Sequence, residues 1–138
     1  MSMPVTLEAS ARVPRGRRLL ARAAVAVALP LARLSPRRLR RVLGALARRA
    51  RPATEAEALA ARRAVVSVSK RCAGQGCLQR SIATAVLCRL TGCWPDWCTG
   101  VRTEPFRAHA WVEVDGRPVG EGEDARYYRA VMTVPARR

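Results

Sequence analysis

The chain has 138 residues, enough for one domain and too few for two of ordinary size. Its formal charge of +16 comes almost wholly from arginine, and 49% of its residues are hydrophobic, so a buried core is possible. The charge is uneven: residues 1–51 carry thirteen Arg against Glu8 alone, whereas residues 52–138 are closer to balance. This reads as a basic Arg/Ala-rich helical extension over 1–51, followed by a globular domain over 52–138.

In chain order, residues 1–15 are expected to be extended, with Pro4 and Pro14 as breakers. Gly16 to about Leu29 reads as a helix. Within the apolar run Leu19–Leu34, Arg22, Pro30 and Arg33 interrupt, and the run falls short of the roughly 20 residues needed to span a bilayer. Peripheral contact with a membrane surface is compatible with it. Ser35-Pro36 is a helix start, and Leu39, Val42, Leu43 and Leu46 form an apolar stripe ending before Pro52. Thr54 with Glu57 is a capping-box pattern that opens another helix through Ala64 or beyond.

The segment 72–77, with Gly74 and Gly76, is expected as a loop. After it, Leu78, Ile82, Ala85, Val86 and Leu90 fall at helical spacing up to Gly92, predicting a buried central helix over 77–91. Beyond Thr99 the pattern changes. A short strand is expected at Val101–Thr103, and an alternating strand at Ala108–Val114 sets His109, Trp111 and Glu113 on one face. Asp115-Gly116 signals a turn, with Arg117–Glu121 returning as the partner strand and a further short helix or strand in 122–138. The expected fold class is α+β: N-terminal helices, a central helix carrying a cysteine, and a small antiparallel sheet carrying the single histidine.

Five cysteines are an odd number, and the first residues lack a secretory signal arrangement, so the expected location is the cytoplasm with reduced thiols. No C-x-x-C pair occurs, so neither a metal site nor a cofactor is expected. Cys77 would sit in the first turn of its helix, where unpaired N–H groups and the positive dipole end favour thiolate and serve an oxyanion. Cys88 lies at the opposite, unfavourable end. Cys77 as nucleophile and His109 as base therefore form the candidate catalytic pair, with Gly76, Arg80, Ser81 and Trp111 as candidate substrate contacts.

Hairpin register decides which carboxylate orients the histidine. A three-residue loop over 114–116 would pair Glu113 with Arg117, Trp111 with Val119 and His109 with Glu121. A two-residue Asp115-Gly116 turn would instead set Glu121 opposite Ala110 and lose that role. Glu121 is favoured, with Glu123, Asp124 and Asp115 as other carboxylates nearby.

The run GCLQRSIATAVLCRLTG, followed by GVRTEPFRAHAWVEVDGRPVGE, resembles the leader peptidases of lasso-peptide biosynthesis, bacterial cysteine proteases of transglutaminase-like type. The resemblance covers about residues 60–130. Its anchors are a cysteine followed by Leu-x-Arg-Ser, the Pro-Phe-x-x-His-Ala-Trp-Val-Glu strand, and the Asp-Gly turn. It implies a transglutaminase/papain-like fold, Cys77 as nucleophile and His109 as base. The family expects an Asp about a dozen residues after the histidine, where this chain has Glu121.

The implied activity is removal of the leader from a ribosomally made precursor, after which an ATP-dependent cyclase closes a macrolactam ring. Some relatives carry a fused leader-binding module built around three strands. Residues 1–51 show no strand pattern, so the resemblance implies the split form, served by a separate leader-recognition protein. Two other readings remain at this stage. One is acyl transfer to an amine through the same acyl-enzyme. The other is a non-enzymatic nucleic-acid binder, disfavoured because residues 1–51 contain no aromatic for base stacking.

Overall fold

The computed structural model describes residues 13–137; most of the stretch expected to be extended, 1–15, lies outside them. Five helices precede a small sheet: α1 (Arg15–Leu31), α2 (Pro36–Ala47), α3 (Glu55–Val68), α4 (Lys70–Ala73) and α5 (Cys77–Leu90). Two residues, Arg51–Pro52 (β1), pair in parallel with Cys93–Trp94 (β2). The main sheet is antiparallel, built from β3 (Asp96–Arg102), β4 (Arg107–Val114), β5 (Arg117–Pro118) and β6 (Arg129–Val134) in the order β5-β4-β3-β6. The α+β class read from the sequence is the class observed.

Local chemistry explains the helix starts. Ser35 accepts from the Arg38 amide with Pro36 at the first helical position, and α2 buries Leu39, Leu43 and Ala47 while its arginines face outward. At α3 the Thr54 hydroxyl accepts from the Glu57 amide and Glu57 accepts from the Thr54 amide, each at 3.1 Å. Arg51 grips the same carboxylate through both guanidinium nitrogens, at 2.8 and 2.6 Å, which holds Glu57 down to a pKa of about 2. The loop expected at 72–77 is shorter than read: Ser69 caps α4 by accepting from the Cys72 amide, leaving Gly74–Gly76 as the true loop.

The central helix is buried more completely than one apolar face implies. Every residue from Ser81 to Cys88 is buried, enclosed by α1, α3 and the sheet. The two polar side chains in that stretch are satisfied locally, Ser81 at the Leu78 carbonyl (2.9 Å) and Thr84 at the Arg80 carbonyl (2.7 Å). Trp94 and Trp97 anchor the sheet side, their indoles donating to the Val134 carbonyl and the Ser81 hydroxyl. Burying rings of this size, roughly 200 Å² each, contributes about 5 kcal/mol apiece before entropy is counted.

The structure draws no boundary at residue 51. Ala21, Ala24 and Ala28, one turn apart on α1, are fully buried and belong to the same core as α5 and the tryptophans. Their small side chains let α1 lie close against α3 and α5. Residues 15–51 are thus a layer of the domain, most of their arginines displayed on the outer surface. None of the described helices is long and apolar enough to cross a membrane.

The β4–β5 hairpin corrects the favoured register. Val114 pairs with Arg117 and Glu113 with Pro118, so the loop is the two-residue Asp115-Gly116 turn, with both residues at positive φ (52° and 77°). Such a turn matches the twist of the flanking strands, which a three-residue loop here would not improve. Pairing continues only to Val119, whose amide donates to the Val112 carbonyl at 2.9 Å, and Gly120, at φ 69°, then swings the chain away from the β5 line. The expected short strand at 101–103 begins earlier, at Asp96. The tail 122–137 gives a 3₁₀ turn (Glu123–Tyr127) and then β6.

Candidate active site

Cys77 opens α5, directly after Gly76, whose amide donates to the Arg71 carbonyl at 3.1 Å. A Cβ at Gly76 would lie 2.5 Å from that carbonyl oxygen, so only glycine lets the loop close on α4. Arg80, one turn along α5, donates to the carbonyls of Cys72 and Gly74, both at 3.1 Å. That guanidinium pins the loop and holds positive charge near the thiol. The amides of Leu78 and Gln79 lie in the unpaired first turn, whereas the Cys77 amide donates to Gln75 at 2.9 Å.

Of the five cysteines, Cys77 alone is not buried. Burial pushes the Cys72 thiol up, and Cys98 up to about 12. Cys88 is raised by its hydrogen bond with Cys93 and by burial; the same bond pulls Cys93 down, but that sulfur sits in a residue with 0% exposure. Cys77 is lowered chiefly by its hydrogen bond with His109, against the opposing effect of burial. The Ala110 amide and the Arg80 charge add to the lowering.

His109 meets Glu121 through Nε2, 3.1 Å from Oε2. With Nε2 committed there, Nδ1 is the ring nitrogen left for Cys77. Hydrogen bonds from both partners outweigh burial and raise His109 to about 9. Burial alone would raise the Glu121 carboxyl, but the hydrogen bond and charge of His109, with Arg62 and Arg80, carry it below its usual value. The three groups form a line of thiol, imidazole and carboxylate, partly screened from water, in which each neighbour favours the charged form of the next.

Glu121 therefore occupies the orienting place by a route other than the expected register. It does not pair across the ladder; the positive-φ Gly120 turns its side chain back to the ring. Gly120 is also where the backbone meets Arg62, since a Cβ there would lie 2.5 Å from Arg62 Cδ. Glu123 and Asp124 are exposed on the 3₁₀ turn, and Asp115 sits at the hairpin tip.

Two expected substrate contacts are corrected. Ser81 is buried, its hydroxyl held between the Leu78 carbonyl and the Trp97 indole. Trp111 is 3% exposed, its indole donating to Glu113 at 2.9 Å, and its ring stacks on His109 at 5.8 Å between centroids. Arg80 serves the loop carbonyls, and Gly76 shapes the loop backbone. Sequence reasoning missed Tyr128, whose ring lies 5.2 Å from that of His109, as well as Arg62 and Gly120. The glycine between a strand and an acid was the one visible signal; Tyr128 and Arg62 arrive through tertiary packing.

A partly exposed cysteine at a helix start, a strand histidine and a following carboxylate together suit acyl transfer through a thioester. No curated protein and no solved structure matches the chain. Residues 19–133 match the family model of the transglutaminase-like superfamily, a span that takes in α1, the cysteine helix and the sheet. The chain belongs to the transglutaminase-like superfamily.

Proposed function

We propose that this protein is a cysteine peptidase that removes the leader from a ribosomally made lasso-peptide precursor. The observation that carries the peptidase reading is the grouping of Cys77, His109 and Glu121, with His109 held by Glu121 at 3.1 Å and the Cys77 thiol lowered by His109. The lasso assignment rests on the resemblance of the segments around Cys77 and His109. In this reading the Cys77 thiolate attacks the scissile carbonyl, and the developing oxyanion faces the first-turn amides of α5. The His109 imidazolium gives its Nδ1 proton to the leaving amine as the C–N bond breaks. Water, deprotonated by His109, then hydrolyses the thioester and frees the thiol. Glu121 keeps the ring aimed and stabilises its charged form.

The partners that follow are the precursor leader, a separate leader-recognition protein and a macrolactam-forming cyclase acting on the product. In the same reading the protein works in the cytoplasm, and α1, with exposed Leu19, Leu20 and Val27 beside arginines, supplies peripheral contact with a membrane surface.

The test is incubation of the full chain with a candidate precursor and its leader-binding partner, followed by mass measurement of both fragments. Cleavage yielding a free acid, absent in Cys77→Ala, is the expected result. Amide products formed with added amines would assign acyl transfer instead. Cleavage retained by Cys77→Ala would overturn the site.

A further inference from the structure

Two cavities lie end to end along the seam between α2 and β6. One, of about 470 Å³, is apolar and lined by Leu34, Leu39, Leu78, Val131 and Met132. The other, of about 770 Å³, is walled by Arg40, Arg41, Arg48 and Arg137 over a floor that includes Gly44 and Val134. Arg40 borders both, and β6 passes from one into the other, so they form a single trough. Neither Cys77 nor His109 lines it, so the trough lies apart from the reacting groups.

The basic end holds an arrangement that needs a counter-charge. No acidic side chain lines it, and among the described residues none of its four arginines is paired with a carboxylate. Four guanidinium groups facing one groove repel each other, and an anionic occupant relieves that repulsion. Gly44, in mid-helix, leaves the floor open: a Cβ there would meet nothing within 4 Å.

We infer that this trough docks an acidic stretch of the peptide substrate away from the scissile bond, taking an apolar side chain at one end and carboxylates at the other. The inference rests on the peptidase reading, because that reading supplies a peptide as the occupant. From Pro36 to Arg48 the α2 wall runs roughly 18 Å at the helical rise, room for about six extended residues. A polynucleotide fits less well, since the basic end offers no aromatic ring for stacking. A concave groove also suits a strand-like ligand better than a flat bilayer.

The test uses full-length Cys77→Ala and fluorescein-labelled peptides that carry one leucine and, a few residues away, a run of glutamates or of glutamines. Each peptide is made in both chain directions, and binding is read by anisotropy at low salt. The glutamate peptide in one direction should bind about tenfold or more tightly than its glutamine twin. Gly44→Leu, which fills the floor without touching a charge, should abolish that binding, and Gly44→Ala should retain it. Leucine is a better helix former than glycine, so the variant should fold, as thermal melts will check. Should it misfold, the exposed pair Arg41→Gln and Arg48→Gln gives the same reading.

Equal binding of the two peptides, or binding indifferent to the groove variants, would overturn the inference. So would tighter binding of an oligothymidylate of matched charge that competes for the groove. Because the variant lacks the thiol, these results do not depend on catalysis. Groove-dependent binding together with a wild-type protein that never forms a thioester would sink the peptidase reading and leave an acidic-peptide site.

Discussion

His109 stands between a thiol that keeps its proton less readily than usual and a carboxylate that has none to give. Both neighbours favour the charged ring, which is why its pKa rises from 6.5 to about 9. The productive form pairs thiolate with imidazolium, so kcat/KM should rise through the lowered Cys77 pKa and fall as pH passes about 9. The raised histidine pKa also stabilises the fold: its contribution is fully present below about 6.5 and is lost as pH climbs through about 9. Glu121→Gln removes the carboxylate charge, so the basic limb should move to lower pH and turnover should fall about 10²- to 10⁴-fold. A pH–rate profile of the variant measures both; an unmoved basic limb would exclude Glu121 as the orienting group. Cys77 and His109 were legible in the sequence because a glycine-rich loop before a helix and an alternating strand are local patterns. The shared strand face of His109 and Trp111 was legible too, whereas the burial of Ser81 under the Trp97 indole was not, since it depends on a residue sixteen positions away.

At the scale of elements, the site depends on how β4 and β5 end. The Asp-Gly turn was legible, but the register was not: the sequence was compatible with either loop length, and twist decided for two residues. Glu121 then reaches His109 only because Gly120 adopts a φ of 69° against the Arg62 stem. Gly120→Ala adds both a strained backbone and a collision, so it should cost about 1–3 kcal/mol and displace Glu121. Denaturant unfolding and a cleavage assay should report both losses together. Asp115→Asn, at the positive-φ position that opens the hairpin turn, should leave stability and activity nearly intact, because asparagine accepts that conformation. Loss of activity in Asp115→Asn with normal behaviour of Gly120→Ala would place the critical bend elsewhere. The helix starts at Ser35 and Thr54 needed no such arbitration, because each cap is written within four residues.

For the whole molecule, charge suggested a division that packing erases. Arginine frequency falls after residue 51, yet the alanines of α1 are sealed against α5 and α3. Composition reports the outer faces of α1 and α2, whereas domain membership is set by their inner faces. A chain starting at residue 52 should therefore fail to unfold cooperatively and should expose apolar surface, as thermal melts and dye binding would show. Ala24→Leu, which forces a larger side chain into that contact, should cost about 1–3 kcal/mol. A truncated chain that melts as sharply as the full one would restore the boundary.

Burial of four sulfurs gives the protein a built-in stoichiometer. Cys72, Cys88, Cys93 and Cys98 are each 0–1% exposed, so an alkylating reagent meets one thiol per folded chain. Iodoacetamide at neutral pH should add a single carbamidomethyl group, at Cys77, and the fraction modified should equal the fraction of activity lost. Incorporation approaching five groups would then count unfolded molecules, letting one mass spectrum report both competent sites and the integrity of the preparation. The same seclusion has a cost under oxidants. A sulfenic acid formed at Cys77 finds no accessible partner thiol in its own chain, so recovery must come from an external reductant, and continued exposure would carry the sulfur on to irreversible acids.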